Sequence, residues 1–184
     1  MRIISGRAKG TKLYTLEGIE TRPTLDRVKE SIFNIIQNQI RGSVVLDLFA
    51  GSGAIGLEML SRGASKAIFC DKSKDAIQII KKNIEKTRME QYVEIYNSDY
   101  NSTLEKIKKY KFDIIFLDPP YNTDYIYGSL KKITELDLVN EEGLIILETD
   151  DEERVLKEIE NIKLKIVDKR KYGRAAIIFL KKEA

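Results

Sequence analysis

The 184-residue chain contains no histidine and only one cysteine, Cys70. Without histidine it has no His general base, no Ser-His or Cys-His nucleophile and no ordinary zinc site. One cysteine cannot form a disulfide within the chain. No run of residues approaches the roughly 20 apolar positions that a bilayer-spanning helix needs, and the first residues lack the apolar core of a signal peptide. We therefore expect a soluble cytoplasmic protein with no membrane partner and no bound metal.

Charge of one sign is not in large excess either. The chain has 32 Lys and Arg against 29 Asp and Glu, a net charge of +3, which is too balanced for a protein that coats nucleic acid. Any basic surface must be local, and residues 1–42 contain eight basic and four acidic side chains. We interpret residues 1–42 as a basic N-terminal extension, in which a short hairpin precedes a helix from Pro23 to about residue 40. Residues 43–184 would form the main domain.

From Val44 onward, short apolar runs alternate with charged helical segments, which is typical of an α/β fold with a parallel sheet covered by helices on both faces. The predicted strands cover 43–49, 65–71, 92–97, 112–117 and 143–148, and the predicted helices cover 53–62, 73–87, 101–109, 124–136 and 150–160. The pattern over residues 163–182 predicts two strands around a turn at Gly173. We therefore expect an antiparallel strand at the edge of the sheet or inserted in it.

A glycine-rich loop follows the first predicted strand. Gly51, Gly53 and Gly56 match the pattern G-x-G-x-x-G, and Asp71, 20 residues after Gly51, ends the second predicted strand. In a dinucleotide-binding fold, such a loop lets the backbone approach the ligand, and such an acid accepts the ribose hydroxyl hydrogens. The loop could also be a plain tight turn, and Asp71 a surface turn residue. Together, however, the two features favour an adenosine-containing cofactor.

The charge near the loop bears on which cofactor this is. Asp47 ends the first strand four residues before Gly51 and would repel a dinucleotide pyrophosphate, whereas it suits the sulfonium and ammonium of S-adenosylmethionine. Asp99 follows the third strand, where it could accept from the adenine amino group or simply cap the next helix. The residues predicted to bind the cofactor are Asp47, Phe49, Ala50, Gly51, Ser52, Gly53, Asp71, Lys72, Asp99 and Tyr100.

Two of the three prolines lie in the segment Asp118-Pro119-Pro120-Tyr121, directly after the fourth predicted strand. Proline cannot continue a strand ladder, so this segment is either a stiff turn capped by an aromatic ring or a rigid loop at the edge of the sheet where such folds bind substrate. The Asp118 carboxylate and the Pro119 carbonyl can both accept hydrogens from an exocyclic amine, and Tyr121 can stack on its ring. We predict that all four residues are catalytic, and that Asp118 orients the amine or takes its proton.

At these residues the chain resembles the class I S-adenosylmethionine-dependent methyltransferases, in particular the branch that methylates amino groups. More closely, it resembles the RsmD family of 16S rRNA guanine-N2 methyltransferases. The residues that carry this resemblance are 1–6, 9–10, 13, 21–24, 26–28, 47–58, 61–64, 112–121 and 172–173. The chain departs from the family at Asp71, where glutamate is common, and at the neighbouring Cys70 and Ser73.

The resemblance implies a Rossmann-like fold with a seven-stranded, mostly parallel sheet whose last strand is antiparallel. It also implies methylation of N2 of one guanine, position 966 of 16S rRNA, with S-adenosylhomocysteine as the product. Asp47, Gly51 and Gly53 would then contact the methionine part of the cofactor, and Asp71 and Asp99 would contact its ribose and adenine. Asp118 to Tyr121 would hold the target base. Residues 43–184 would be the catalytic domain.

A base edge is methylated only when the base leaves its stack or already lies in an unpaired loop, so the protein must also hold the flanking RNA backbone. The candidate phosphate-binding residues are Arg7, Lys9, Lys12, Arg22 and Arg27, although each could instead belong to a solvated charged face. The expected partner is 16S rRNA or an assembly intermediate of the small ribosomal subunit, bound by a monomer. The alternatives are methylation of another nucleic-acid or protein amine, an NAD-dependent oxidoreductase, and a non-catalytic RNA-binding factor.

Overall fold

The structure is a computed structural model that describes residues 1–16 and 23–184. The helices are α1 Pro23–Ile40, α2 Ala54–Ser61, α3 Lys74–Thr87, α4 Tyr100–Lys106, α5 Tyr125–Glu135 and α6 Glu152–Ile159. The strands are β1 Val44–Asp47, β2 Lys66–Cys70, β3 Val93–Tyr96, β4 Phe112–Leu117, β5 Val139–Thr149, β6 Leu164–Tyr172 and β7 Ala175–Lys182. No helix within these described ranges is long and apolar enough to cross a bilayer.

The strands form one sheet in the order β3-β2-β1-β4-β5-β7-β6. Strands β1 to β5 pair in parallel, whereas β7 runs antiparallel to both of its neighbours, β5 and β6. The last strand is therefore inserted antiparallel into the sheet, which confirms the predicted seven-stranded Rossmann-like architecture. The carboxyl ends of the parallel strands meet at one edge of the sheet, which we call the carboxyl edge.

Two predicted elements had limits that were wrong by three or more residues. Strand β5 begins at Val139, four residues before the predicted start, because Val139 pairs with Phe112 across a register shift in the ladder. The polar residues that follow Val139 made this part look like a loop. Helix α4 ends at Lys106 rather than residue 109, because the chain turns there and the N–H of Tyr110 donates to the carbonyl of Ile107.

The helices cover both faces of the sheet and bury two apolar layers. Helices α1, α2 and α3 pack on one face around Phe33, Phe69 and Phe179, and α4, α5 and α6 pack on the other around Leu130 and Ile133. All five side chains are buried. The helices connecting successive parallel strands thus hold the sheet from both sides, and this leaves the carboxyl edge as the place where loops converge.

Residues 4–8 pack against α2 through their main chain. Glu58 of α2 is completely buried, and its carboxylate accepts hydrogen bonds from the N–H of Ile4 at 2.8 Å and of Ser5 at 3.3 Å. The same carboxylate pairs with the buried ammonium of Lys29 on α1 at 3.4 Å. Ser61 accepts from the N–H of Ala8 at 3.0 Å. One buried acid therefore fastens the N-terminal segment and α1 to the helix that follows the glycine loop.

Candidate active site

A cavity of about 580 Å³ opens at the carboxyl edge, between α1 and the ends of β1, β2, β4 and β5. Thirteen of the fourteen residues predicted to bind the cofactor or to catalyse line this cavity. They are Asp47, Phe49, Ala50, Gly51, Ser52, Asp71, Lys72, Asp99, Tyr100, Asp118, Pro119, Pro120 and Tyr121. The exception is Gly53, which lies at the start of α2 and packs towards Phe69 and Ile80.

The glycine loop connects β1 to α2 and is held by the acid at the tip of β2. Asp71 accepts from the N–H of Gly51 at 2.9 Å and from the N–H of Ser73 at 2.9 Å, one on each carboxylate oxygen. A carboxylate oxygen can accept twice, so both retain accepting capacity towards the cavity. Gly51 has φ of +56°, and a Cβ built there would meet no atom within 4 Å. The backbone of the loop is therefore open to a ligand on the cavity side.

Gly56 has a different role in the same motif. A Cβ at this position would lie 2.4 Å from the ring of Phe69, which is completely buried in β2. The absence of a side chain thus lets α2 lie directly against the sheet. The N–H of Gly56 donates to the carboxylate of Asp47 at 3.1 Å. The third glycine of the motif therefore sets both the helix position and one hydrogen bond of the cavity wall.

Three carboxyl groups are held in the cavity with weakened acidity. Asp47 is 2% exposed, and burial together with the nearby charge of Asp71 raises its pKa to about 7. The Asp118 side chain is accessible from the cavity but lies deep within the protein. This desolvation and the charges of Glu148 and Asp47 raise the pKa of Asp118 well above the usual range. Burial also raises the pKa of Glu148. Such a cavity disfavours an anion and favours a cationic ligand.

The Asp118 loop is stiffened on both sides. Two prolines follow β4, and the Thr123 hydroxyl donates to the carbonyl of Pro120 at 2.8 Å, which closes the turn after them. Tyr121 projects from this loop and is 53% exposed. The loop is thus a turn of fixed shape that carries an acid inside the cavity and an aromatic ring at its mouth.

Part of the cavity wall is aromatic. The rings of Phe49 and Tyr125 are stacked with centroids 6.0 Å apart, and Tyr100 packs against both. Asp99 accepts from the N–H and the hydroxyl of Ser102, so it caps α4 while it also lines the cavity. The two interpretations of Asp99 are therefore compatible.

Sequence reasoning missed several lining residues. Glu148 and Tyr125 had a detectable signal, because one lies near the end of the last parallel strand and the other follows the proline loop. Lys29, Val28 and Ile32 had none, because only the packing of α1 over the sheet brings them to the cavity wall.

The predicted RNA-binding residues lie in different places. Arg27 is exposed on α1 beside the cavity-lining Val28. The Arg7 guanidinium lies over the ring of Tyr92 at 4.4 Å. The main-chain N–H of Arg7 donates to the carbonyl of Ser61 at the far end of α2, which is about 12 Å along the helix from the glycine loop. Lys9 and Lys12 are exposed on the same N-terminal segment, and Arg22 lies outside the described residues.

Comparison with known proteins agrees with this architecture. The family model described as "Conserved hypothetical protein 95" matches residues 1–181. "Putative rRNA methyltransferase YlbH" of Bacillus subtilis is 39% identical over 184 residues, 99% of each chain. "Ribosomal RNA small subunit methyltransferase D" of Haemophilus influenzae is 37% identical over 152 residues, 82% of this chain and 79% of the relative.

A solved structure, "Putative methyltransferase yhhF from Escherichia coli", superposes with a TM-score of 0.84 and 27% identity, covering 100% of this chain and 98% of the other. The match of the family model over nearly the whole length, the two relatives and the shared fold lead to one assignment. This chain belongs to the family "Conserved hypothetical protein 95" and is an RsmD-family methyltransferase.

Proposed function

We propose that this chain transfers a methyl group from S-adenosylmethionine to the exocyclic N2 of a guanine in 16S rRNA, at position 966 as the family resemblance implies. The observation that carries the proposal is the cavity, where Asp47, Asp118 and Glu148 have raised pKa values next to the rigid proline loop. The name of the Haemophilus influenzae relative supports RNA of the small ribosomal subunit as the substrate.

The residues present fit this cofactor. Gly51 leaves its backbone open to the cavity, and Asp71 keeps acceptor capacity for ribose hydroxyls beside it. Asp47 is a buried acid with no cationic side chain bonded to it among the described residues, so a sulfonium or ammonium would complete its surroundings. Phe49 and Tyr100 offer apolar surface where an adenine would lie. The same arrangement of acids argues against a dinucleotide pyrophosphate, and so against an oxidoreductase.

S-adenosylmethionine supplies a methyl group activated by a positively charged sulfur. The Asp118 carboxylate and the Pro119 carbonyl would accept the two amine hydrogens and aim the nitrogen lone pair, while Tyr121 stacks on the base. Holding both reactants in line is worth about 7 to 11 kcal/mol of the barrier, so no histidine is needed. The N–C bond would form as the bond between the methyl carbon and sulfur breaks, which would leave S-adenosylhomocysteine. The amine would lose a proton, and the raised pKa of Asp118 makes this carboxylate a suitable acceptor.

Residues 1–42 would hold the RNA and residues 43–184 would catalyse. In this proposal Arg7, Lys9, Lys12, Arg22 and Arg27 contact phosphate, with Arg27 nearest to the cavity. The substrate is free 16S rRNA or an assembly intermediate of the small subunit in the cytoplasm, and a monomer binds it. Such contacts weaken with salt, whereas selection of the base belongs to the pocket.

The decisive experiment is methyl transfer from labelled S-adenosylmethionine to 16S rRNA and to small subunits that lack the modification, followed by nucleoside mass spectrometry. We expect N2-methylguanosine at one position. Labelling of DNA or of a glutamine-containing peptide instead would replace the proposed substrate. Calorimetric titration with S-adenosylhomocysteine and with NAD tests the cofactor separately, and selective NAD binding would overturn it.

A further inference from the structure

A row of paired residues crosses the sheet from the Asp118 loop to the outer strand. Leu117 pairs with Leu147, so Asp118 stands opposite Glu148 at the next position. Glu148 pairs with Ile177, and Ile177 pairs with Arg170 of β6. Directly paired residues project from the same face, and here this is the face that α1 covers. At about 4.8 Å between neighbouring strands, the main chain of Arg170 lies roughly 14 Å from that of Asp118.

The hairpin that ends this row presents a second arginine. Strands β6 and β7 join through Gly173 and Arg174, and Gly173 has φ of +63°, as the first position of a two-residue hairpin turn requires. Arg174 is exposed and forms no hydrogen bond or ion pair within the described ranges. Arg170 is exposed and pairs with Asp168 at 3.1 Å, on its own strand. Both guanidinium groups are accessible at the carboxyl edge.

The hairpin tip is attached to α1 beside the cavity. The hydroxyls of Tyr172 and Ser31 are hydrogen-bonded, and Ser31 lies on α1 between the cavity-lining Val28 and Ile32. Arg27 is exposed one helical turn before Ser31, on the same side of the helix. Arg27 and the hairpin that carries Arg170 and Arg174 therefore lie beside the α1 wall of the cavity, and we call these three residues the arginine rim.

We propose that the arginine rim binds the phosphates that flank the target nucleotide, an inference that rests on the proposed function. The acidic cavity would repel phosphate, so only the base enters and the backbone must be held outside. Guanidinium groups suit phosphate oxygens, and the main chain of Arg170 lies roughly 14 Å from that of Asp118, so one RNA strand can reach both. The rim lies at the same edge as the Asp118 loop, whereas Arg7 lies near the other end of α2. The rim thus positions the strand for methylation.

The test compares two double variants that each remove two exposed positive charges. Arg170→Ala with Arg174→Ala changes the rim, and Lys106→Ala with Lys108→Ala changes the end of α4, on the other side of the sheet. The probe is a fluorescent 16S rRNA stem–loop containing the target guanine, titrated from about 50 to 200 mM KCl. We expect the rim variant to bind on the order of tenfold more weakly, with a salt slope smaller by about 1.4 for two single-strand contacts. The control should stay within about twofold of the wild-type protein.

Kinetics and cofactor binding separate this role from general damage. The rim variant should raise KM for RNA and leave kcat and the affinity for S-adenosylhomocysteine unchanged. If the double variant does not fold, Arg174→Gln alone, in the exposed turn, should show about half the change in salt slope. The proposal would be overturned if the rim variant bound naked RNA with the affinity and salt slope of the wild-type protein. So would a defect seen only on assembled subunits, because the tip would then contact protein.

Failure of the proposed function is distinguishable. If the wild-type protein methylates no RNA but the rim variant still binds RNA more weakly than the wild type, the proposed activity is refuted and the proposed interface is kept.

Discussion

Replacing Asp47 by Asn tests the electrostatics of the cavity directly. The buried carboxyl keeps one hydrogen bond, from the N–H of Gly56, and an Asn oxygen can accept it equally well. The change removes a charge and preserves shape. Because burial opposes the charged form of Asp47, we expect Asp47→Asn to stabilise the free protein at alkaline pH while it weakens binding of S-adenosylmethionine.

The size of the effect follows from the pKa. The folded protein holds the Asp47 pKa at about 7 against an ordinary value of 3.8, a difference worth about 4 kcal/mol. Between these two values the folded state binds more protons than the unfolded state, so the stability of the wild-type protein falls as pH rises and then levels off above about 7. The free energy of unfolding of Asp47→Asn, relative to that of the wild-type protein, should therefore rise by about 2 to 3 kcal/mol between pH 5 and pH 8.

Urea unfolding of both proteins across this pH range measures the difference. Asp99→Asn is the matched control with the opposite sign. Its hydrogen bonds from Ser102 lower the pKa of Asp99, so the contribution of this carboxylate is present at neutral pH and is lost on acidification. An Asp47→Asn protein that is less stable than wild type at pH 8, or a difference that does not vary with pH, would refute the reasoning.

The remaining predictions concern chemistry, binding and packing. Asp118→Asn should abolish methyl transfer and leave RNA affinity nearly unchanged in a filter-binding assay; retained turnover would rule out Asp118 as the orienting group. A cationic ligand lowers the pKa of Asp47, so binding of S-adenosylmethionine should release protons near pH 7 and tighten as pH rises to that value, which calorimetry in two buffers detects. Gly56→Ala should destabilise the fold by about 1 to 3 kcal/mol in urea unfolding, because its Cβ meets the Phe69 ring; an unchanged midpoint would contradict the close packing. Glu58→Gln should cost about 3 to 5 kcal/mol by the same measurement, since it leaves the buried Lys29 ammonium with the Arg2 carbonyl but no carboxylate, and adding Lys29→Met should recover most of the loss.

The sequence predicted the groups that follow strand ends and missed those that depend on distant packing. Asp47, Asp71 and Asp118 could be assigned to one cavity because parallel strands all end at the carboxyl edge. Glu148 lies near the end of the parallel strand β5, so the same rule could have assigned it to the cavity. Lys29 reaches the cavity only because α1 packs across the sheet, a contact between segments far apart in the chain.

The distribution of basic residues shows the same limit. A count of charges selected residues 1–42, yet two exposed arginines at the hairpin tip, Arg170 and Arg174, lie at the carboxyl edge with the Asp118 loop. Their position depends on β7 being inserted between β5 and β6, and this is a property of the topology. Composition alone gives these two arginines no more weight than the lysines and arginines of the N-terminal segment.

The anchoring of residues 1–16 has a consequence for how this segment tolerates substitution. Glu58 binds amide groups that every amino acid except proline possesses, so the side chains of Ile4 and Ser5 are free to vary. The number of residues between Ser5 and Ala8 is not free to vary, because the N–H of Ala8 donates to Ser61 on the same helix. Gly6 is the exception, because a Cβ there would lie 1.9 Å from the carbonyl oxygen of Ser61. A library randomised over this segment should accept many sequences at Ile4 and Ser5, reject any substitution of Gly6, and reject insertions or deletions of a single residue.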